Sequence, residues 1–307
     1  SLAHMLVSRT GPRLQPGTRS YSRSWIRDGA MISEGLLRMG RPEVVREYLE
    51  WYAPFQFDSG KVPCCVDDRG SDPVPENDSH GQFVFNIAQY WRYTGDDAFL
   101  QRMWPHVEGA YRYMETLRLS ERTGANRRAN RAFYGMMPAS ISHEGYSAKP
   151  MHSYWDNFWA LRGYKDAVLI AQALGREDDA RRMADSRDRF HADLMDSLRA
   201  AGGAHGIDYL PGAAELGDFD PTSTTIALAP GGEMERLPQD LLYNTFEQYW
   251  QRFAARRDGS LAWKDYTPYE WRNVGAFIRL GWRDRAWEAA DWFLADRAPP
   301  AWNQWAE

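Results

Sequence analysis

Carboxylates, amides, imidazoles and large aromatic rings concentrate in five short segments: SRSWIRDGA, PENDSHGQF, HEGYSAKPMHSYWDN, GDFDPTST and DGSLAWKDYTPYEWRN. This mixture suits a ligand that is rich in hydroxyls yet has apolar faces. Trp25, Trp155, Trp263, Tyr266 and Trp271 each offer a flat apolar surface beside a polar handle, which matches the C–H face and hydroxyl rim of a sugar ring. Arg27, Asp28, Asn77, Asp78, His80, Gln82 and His152 add donors and acceptors for such a rim. Cleaving a glycosidic bond requires two carboxyl groups, one of them protonated so that it can help the leaving group depart. When the configuration inverts, the two stand ~6.5–9.5 Å apart with a water between. Glu144 has the setting of the protonated member. His143, Tyr146, Tyr154 and Trp155 flank it, and apolar rings around a carboxyl disfavour its charge.

Other chemistries are poorly served. His80 and His152 lack the spacing of a zinc motif, and no phosphate-cradling loop, nucleophile elbow or dinucleotide fingerprint is present, so neither metal nor cofactor is expected. The only cysteines, Cys64 and Cys65, are adjacent. A disulfide between neighbours is strained, and the default reading is of idle thiols. Asp218 and Asp220, followed by Thr222 to Thr225, read as a helix cap more than as catalysts. A net charge of −5 with interspersed acids and bases argues against nucleic acid, and the basic run from Arg118 to Arg131 reads as a solvated loop. No apolar run approaches the ~18–20 residues that a bilayer requires, so no membrane partner is expected.

The elements that must position these residues are helices in pairs. Apolar stretches run into Gly40, Gly95, Gly175, Gly231 and Gly281, at intervals of 55, 80, 56 and 50 residues. The junctions LLRMGRPEVV, YWRYTGDDAF, AQALGREDDA and FIRLGWRDRA each join a helix end, a glycine suited to the left-handed position and a charged first turn. The spacing predicts αα-hairpins over 24–39 with 42–51, 79–93 with 97–117, 153–174 with 178–198, 221–228 with 238–253, and 267–280 with 284–294. Ser79 and Gln82 form a candidate capping box. KVPCCVDD is the best candidate for a strand. Repeats this long exceed tetratricopeptide and HEAT units and fit an all-α toroid, in which the inner-helix N-termini converge on one mouth. Their free N–H groups and positive dipole ends favour carboxylates and hydroxyl-rich ligands there. The chain is expected to be one domain over 1–307, with both ends read as cut edges of a longer protein.

SRSWIRDGA with its helix, PENDSHGQFVFNIAQYWRYTGD and HEGYSAKPMHSYWDNFWALRGYKDAVLIA resemble the first three inner helices of six-hairpin, (α/α)6 glycosidases. That group includes glucoamylases, trehalases and processing glucosidases. The resemblance spans about 15–307, and implies a fold of six hairpins, five of which are visible here with the start of a sixth at AWNQWAE. It implies that Arg27 and Asp28 grip sugar hydroxyls and that the general acid lies near Glu144, with Asp156 as the competing candidate. It places the base in the last hairpin, where Glu307 is the candidate. The expected function is hydrolysis of an oligo- or polysaccharide by an inverting α-glycosidase without a cofactor. Two alternatives stay open. One is a toroid epimerase or polysaccharide lyase, with His80, His152 or Tyr154 as base. The other is a non-catalytic carbohydrate-binding or scaffold module.

Overall fold

At four of the five hairpin junctions the glycine adopts the conformation its position demands, and at the fifth it is Gly232 (φ 67°), not Gly231, that does so. Gly40, Gly95, Gly175 and Gly281 have φ of 70°, 64°, 66° and 78°, a region that penalises any Cβ. The computed structural model describes residues 2–142, 145–146, 148–262, 268–297 and 301. Its helices are α1 (Leu2–Val7), α2 (Ile26–Arg38), α3 (Pro42–Tyr52), α4 (Ser79–Thr94), α5 (Asp97–Glu121), α6 (Gly124–Ala129), α7 (Tyr154–Ala173), α8 (Glu177–His205), α9 (Pro221–Leu228), α10 (Gln239–Arg257), α11 (Trp271–Arg279) and α12 (Arg283–Ala295). The expected all-α architecture of hairpins is thus observed. A small antiparallel sheet accompanies it: β1 (Ser24–Trp25) pairs with β2 (Cys65–Asp67), which pairs with β3 (Gly70–Ser71).

The chain divides into two compact units, Ser1–Leu194 and Met195–Glu307. In the first, α2, α4 and α7 run in the same direction. Arg27 near the start of α2 reaches Asp78 at the head of α4, and Trp155 in the first turn of α7 reaches the same carboxylate. At the far end Arg92 of α4 bonds to Asp166 of α7. Three helix N-termini therefore gather at one end of this unit. α4 is buried without a break from Ser79 to Ala88, and α7 from Tyr154 to Leu161. A helix buried on all sides is an inner one, and α5 and α8 alternate buried and exposed positions as outer helices do. Burying rings such as Phe83, Phe85, Trp155, Phe158 and Trp159 stabilises by ~1.5–3 kcal/mol each. α4 and α7 touch backbone to backbone. A Cβ on Gly81 would run into the Trp159 carbonyl, and one on Gly163 would stand 2.6 Å from Gly81 Cα.

In the second unit, Asp220 caps α9 by accepting from Ser223 N at 3.0 Å, as its position predicts. α10, α11 and α12 share an aromatic core of Phe246, Tyr249, Phe253, Phe277 and Phe293.

Three local expectations are corrected. Ser24 and Trp25 belong to β1, because the chain there pairs with Cys65 and Val66 before it enters α2. The Ser79–Gln82 capping box does not form: the Ser79 hydroxyl and the Gln82 amide both turn to Asp78. The basic run is not a solvated loop. It continues α5 to Glu121 and forms α6, and Arg118 is buried against Glu115.

Candidate active site

The gathered N-termini of α2, α4 and α7 hold a cluster of acids around one guanidinium. Arg27 Nη1 donates to Glu76 Oε2 at 2.6 Å and to Asp78 Oδ2 at 3.3 Å. Asp78 Oδ2 also accepts from Gln82 Nε2 and from Trp155 Nε1, each at 2.8 Å. Three cationic or neutral donors thus fix one carboxylate oxygen, and charge-assisted bonds of this kind are the strong ones. Burial works against the Arg27 charge, but Asp78, Glu76 and Asp28 overcome it and hold the guanidinium protonated.

Asp156, in the first turn of α7, behaves differently. Its oxygens accept from the hydroxyls of Ser140 at 2.6 Å and Ser142 at 2.9 Å. Desolvation, with repulsion from Asp78 and Glu76, pushes its carboxyl well above the usual range despite those two bonds. The bonds tie the segment leading into residues 143–144 to the head of α7. Ser142 has φ of 52° without being glycine, a conformation that costs about 1–3 kcal/mol and persists only where surroundings over-determine it. Here Ser142 N donates to Ser140 Oγ at 3.0 Å, and the Ser142 hydroxyl also meets Ser153 Oγ at 3.1 Å. Ser140 pairs with Met151 through both backbone groups, which closes the loop at its base.

The structure brings together six of the residues chosen from sequence: Arg27, Asp28, Asp78, Gln82, Trp155 and Asp156. Among them Asp78, Gln82, Trp155 and Asp156 are 0–1% exposed, so they form the backing of the site. Trp25, Arg27 and Asp28 are half-buried. Trp25 is framed by Tyr21, with ring centroids 6.4 Å apart, and by the Arg23 guanidinium at 5.5 Å. Asn77 is buried and donates to Pro138 O at 2.8 Å, fastening the segment before α4 to the one before Ser140.

His80 makes its described contacts outside this cluster. Its Nδ1 accepts from Val62 N at 3.2 Å, its ring meets Tyr113 edge-on at 4.8 Å, and burial lowers its pKa to about 3. His152 stacks on Phe133 at 4.2 Å, with Nε2 3.7 Å from Glu121 Oε2. Trp271 lies in the second unit, 5.4 Å from the Phe293 ring. Glu144, Trp263, Tyr266 and Glu307 lie outside the described residues. Sequence reasoning missed Glu76, Ser140 and Ser142. Glu76 stands in the quoted PENDS segment, and a second acid beside Asp78 was the signal available; the serines carried none.

Residues 23–229 match the family model of the bacterial α-L-rhamnosidase six-hairpin glycosidase domain. No curated protein matches the chain. Solved structures share its fold at low identity. The α-L-rhamnosidase from Dictyoglumus thermophilum aligns with a TM-score of 0.64 at 15% identity, over 90% of this chain and 29% of that one. The rhamnosidase from Klebsiella oxytoca, solved with rhamnose bound, aligns at 0.57 and 15% identity over 87% of this chain and 48% of that one. A GH63 mannosylglycerate hydrolase from Thermus thermophilus, solved with Tris, aligns at 0.58 and 14% identity over 93% and 88%. The chain therefore spans less than half the length of either rhamnosidase. Two thirds of it, including all of the acid cluster, falls inside the matched segment. The chain belongs to the bacterial α-L-rhamnosidase six-hairpin glycosidase domain family.

Proposed function

We propose that the chain hydrolyses an α-linked glycoside with inversion, and that Glu144 is its general acid. The observation that supports this reading most is the tethering of the segment before Glu144. Ser140 and Ser142 bind Asp156 at the head of α7, which also carries the Trp155 indole bound to Asp78. The described part of the loop thus ends two residues short of Glu144, at a point tied to the same helix head that meets the Arg27–Glu76–Asp78 cluster. Asp156 is the reserve candidate, but it is fully buried and its oxygens are already engaged. It acts better as the anchor of the loop. Trp25, Arg27 and Asp28, being half-buried, are the groups of the cluster that a sugar can touch. Asp78 holds Arg27 and is itself held by Gln82 and Trp155, Asn77 fastens the segment before α4, and Trp263, Tyr266 and Trp271 remain the proposed stacking residues. Glu307 is the candidate base. The lyase or epimerase alternative gains nothing from the geometry, since His80 and Tyr154 are buried and His152 is stacked on Phe133.

The rhamnosidases and the mannosylglycerate hydrolase among the structural relatives make α-L-rhamnosides the first substrates to try and mannosylglycerate the next. Proton NMR of the first-formed product separates inversion from retention. Glu144→Gln is expected to lower kcat by ~10²–10⁴-fold, with Asp156→Asn affecting stability more than rate. Full turnover by Glu144→Gln on every active substrate would overturn the assignment.

A further inference from the structure

The two cysteines stand outside this site, and the hairpin that holds them has its own chemistry. Cys64 and Cys65 are both buried, with Sγ atoms 3.5 Å apart. Asp72 N donates to Cys65 O at 3.0 Å, folding Asp72 back over β2, so that its Oδ2 lies 3.9 Å from Cys65 Sγ. The three potential ligand atoms all fall within 4.8 Å of one another. Asp72 is held in place: Oδ1 accepts from Val74 N at 3.0 Å and Oδ2 from Arg23 Nη2 at 2.6 Å.

Two chemistries are open to such a pair of thiols. A disulfide needs Cα atoms ~4.4–6.8 Å apart, whereas neighbours across a trans peptide stand ~3.8 Å apart, so it would be strained. Ligands at ~2.3 Å (sulfur) and ~2.0–2.2 Å (oxygen) around a tetrahedral ion lie ~3.5–3.8 Å from one another. The observed 3.5 and 3.9 Å separations already approximate those edges.

We propose that Cys64, Cys65 and Asp72 form a binding site for a thiophilic divalent cation, zinc or its analogue cadmium, with a water completing the tetrahedron. On binding, each thiol gives its proton to solvent, and the ion meets two thiolates and one carboxylate. That set carries one negative charge more than the ion neutralises, and the Arg23 guanidinium on Asp72 supplies the balance, since Arg69 answers Asp67, the other carboxylate on Arg23. Arg23 thereby orients a ligand from outside, as outer partners of metal sites do. Its bond does not preclude coordination, because a carboxylate oxygen has a second lone pair. Because the ligands must be deprotonated to bind the ion, binding should strengthen with pH. The site also touches the head of α2. Cys65 pairs with Trp25, and Cys64 O accepts from Ile26 N at 3.0 Å. A bound ion would clamp the strand that delivers Trp25 and Arg27.

The test uses the chelator-treated full chain, titrated with Zn²⁺ by calorimetry and with Cd²⁺ by ultraviolet thiolate–metal absorption. Expected are one ion per chain, release of about two protons, and loss of the cadmium band in the Cys64→Ser/Cys65→Ser double variant with at least 100-fold weaker zinc binding. Asp72→Asn and Arg23→Gln should each weaken binding by about 10–100-fold. Should the double variant unfold, protection of the wild-type thiols from iodoacetamide by zinc, at least tenfold in rate, is the independent measure. The proposal is overturned by a wild-type chain with no cadmium band, by a band and affinity indifferent to Asp72→Asn, or by zinc that leaves alkylation unchanged.

Discussion

Two arginines, a half-buried one in the first unit and a buried one in the second, show how differently the same pairing can be used. In the second unit Arg256 forks onto Glu270 at 3.1 and 3.0 Å, and Tyr249 adds a bond to the same carboxylate at 2.6 Å. Trp292 covers the guanidinium at 4.6 Å. Among the described residues one anion meets this cation, both are buried, and the pair locks α10 to the turn that opens α11. In the first unit Arg27 faces Glu76, Asp78 and Asp28, with Asp156 behind them, so among the described residues acids outnumber the guanidinium. A fold gains nothing from a surplus of desolvated carboxyls. On the proposed function, this surplus belongs to the sugar site and not to the packing.

Variants can break or sharpen this contrast. The largest stability effect is expected from Arg256→Met, which strands Glu270 in an apolar core and should cost about 3–5 kcal/mol in denaturant unfolding. A loss under 1 kcal/mol would remove its role as a lock. Arg27→Met should instead act on turnover, lowering kcat/KM by about 100-fold, equivalent to ~2.7 kcal/mol. Its stability loss should be the smaller of the two, because surplus acids can take up protons. If the two variants behave alike in both measurements, the distinction fails.

His80 gives a third comparison, through pH. Its pKa is lowered by burial to about 3, so the native state binds fewer protons than the unfolded chain at mildly acidic pH. Its contribution is therefore intact above about pH 6.5 and drains away as pH falls towards 3. Between pH 6.5 and 4 the wild type should lose on the order of 2–3 kcal/mol more than His80→Gln, read from urea midpoints at each pH. Equal slopes would mean that His80 is not held neutral. The smallest effect concerns two aspartates that precede helices. Asp220 caps α9, and Asp220→Ala should cost ~1 kcal/mol without altering catalysis. Asp78 heads α4 with no cap bond from its side chain, so Asp78→Asn should reduce activity more than stability.

Much of this was legible along the chain because it depends on near neighbours. The left-handed glycines, the cap at Asp220 and the start of α9 at Pro221 are all set by residues within one turn. The rest depends on partners far away in sequence. Ser79 and Gln82 have the spacing of a capping box, but Trp155 and Arg27 hold Asp78 where both side chains find it first. Arg118 reads as one more charge in a basic run, and only the return of α8 brings Asp193 within 3.6 Å and shows why it is buried. Ser140 and Ser142 carry no chemical signature until α7 presents Asp156 to them.

The bare contact between Gly81 and Gly163 has a practical meaning for anyone wishing to redirect this protein. With no side chain between the two backbones, nothing there can shrink, grow or rotate. Libraries aimed at new specificity should leave both glycines alone and diversify the connecting segments at the open end.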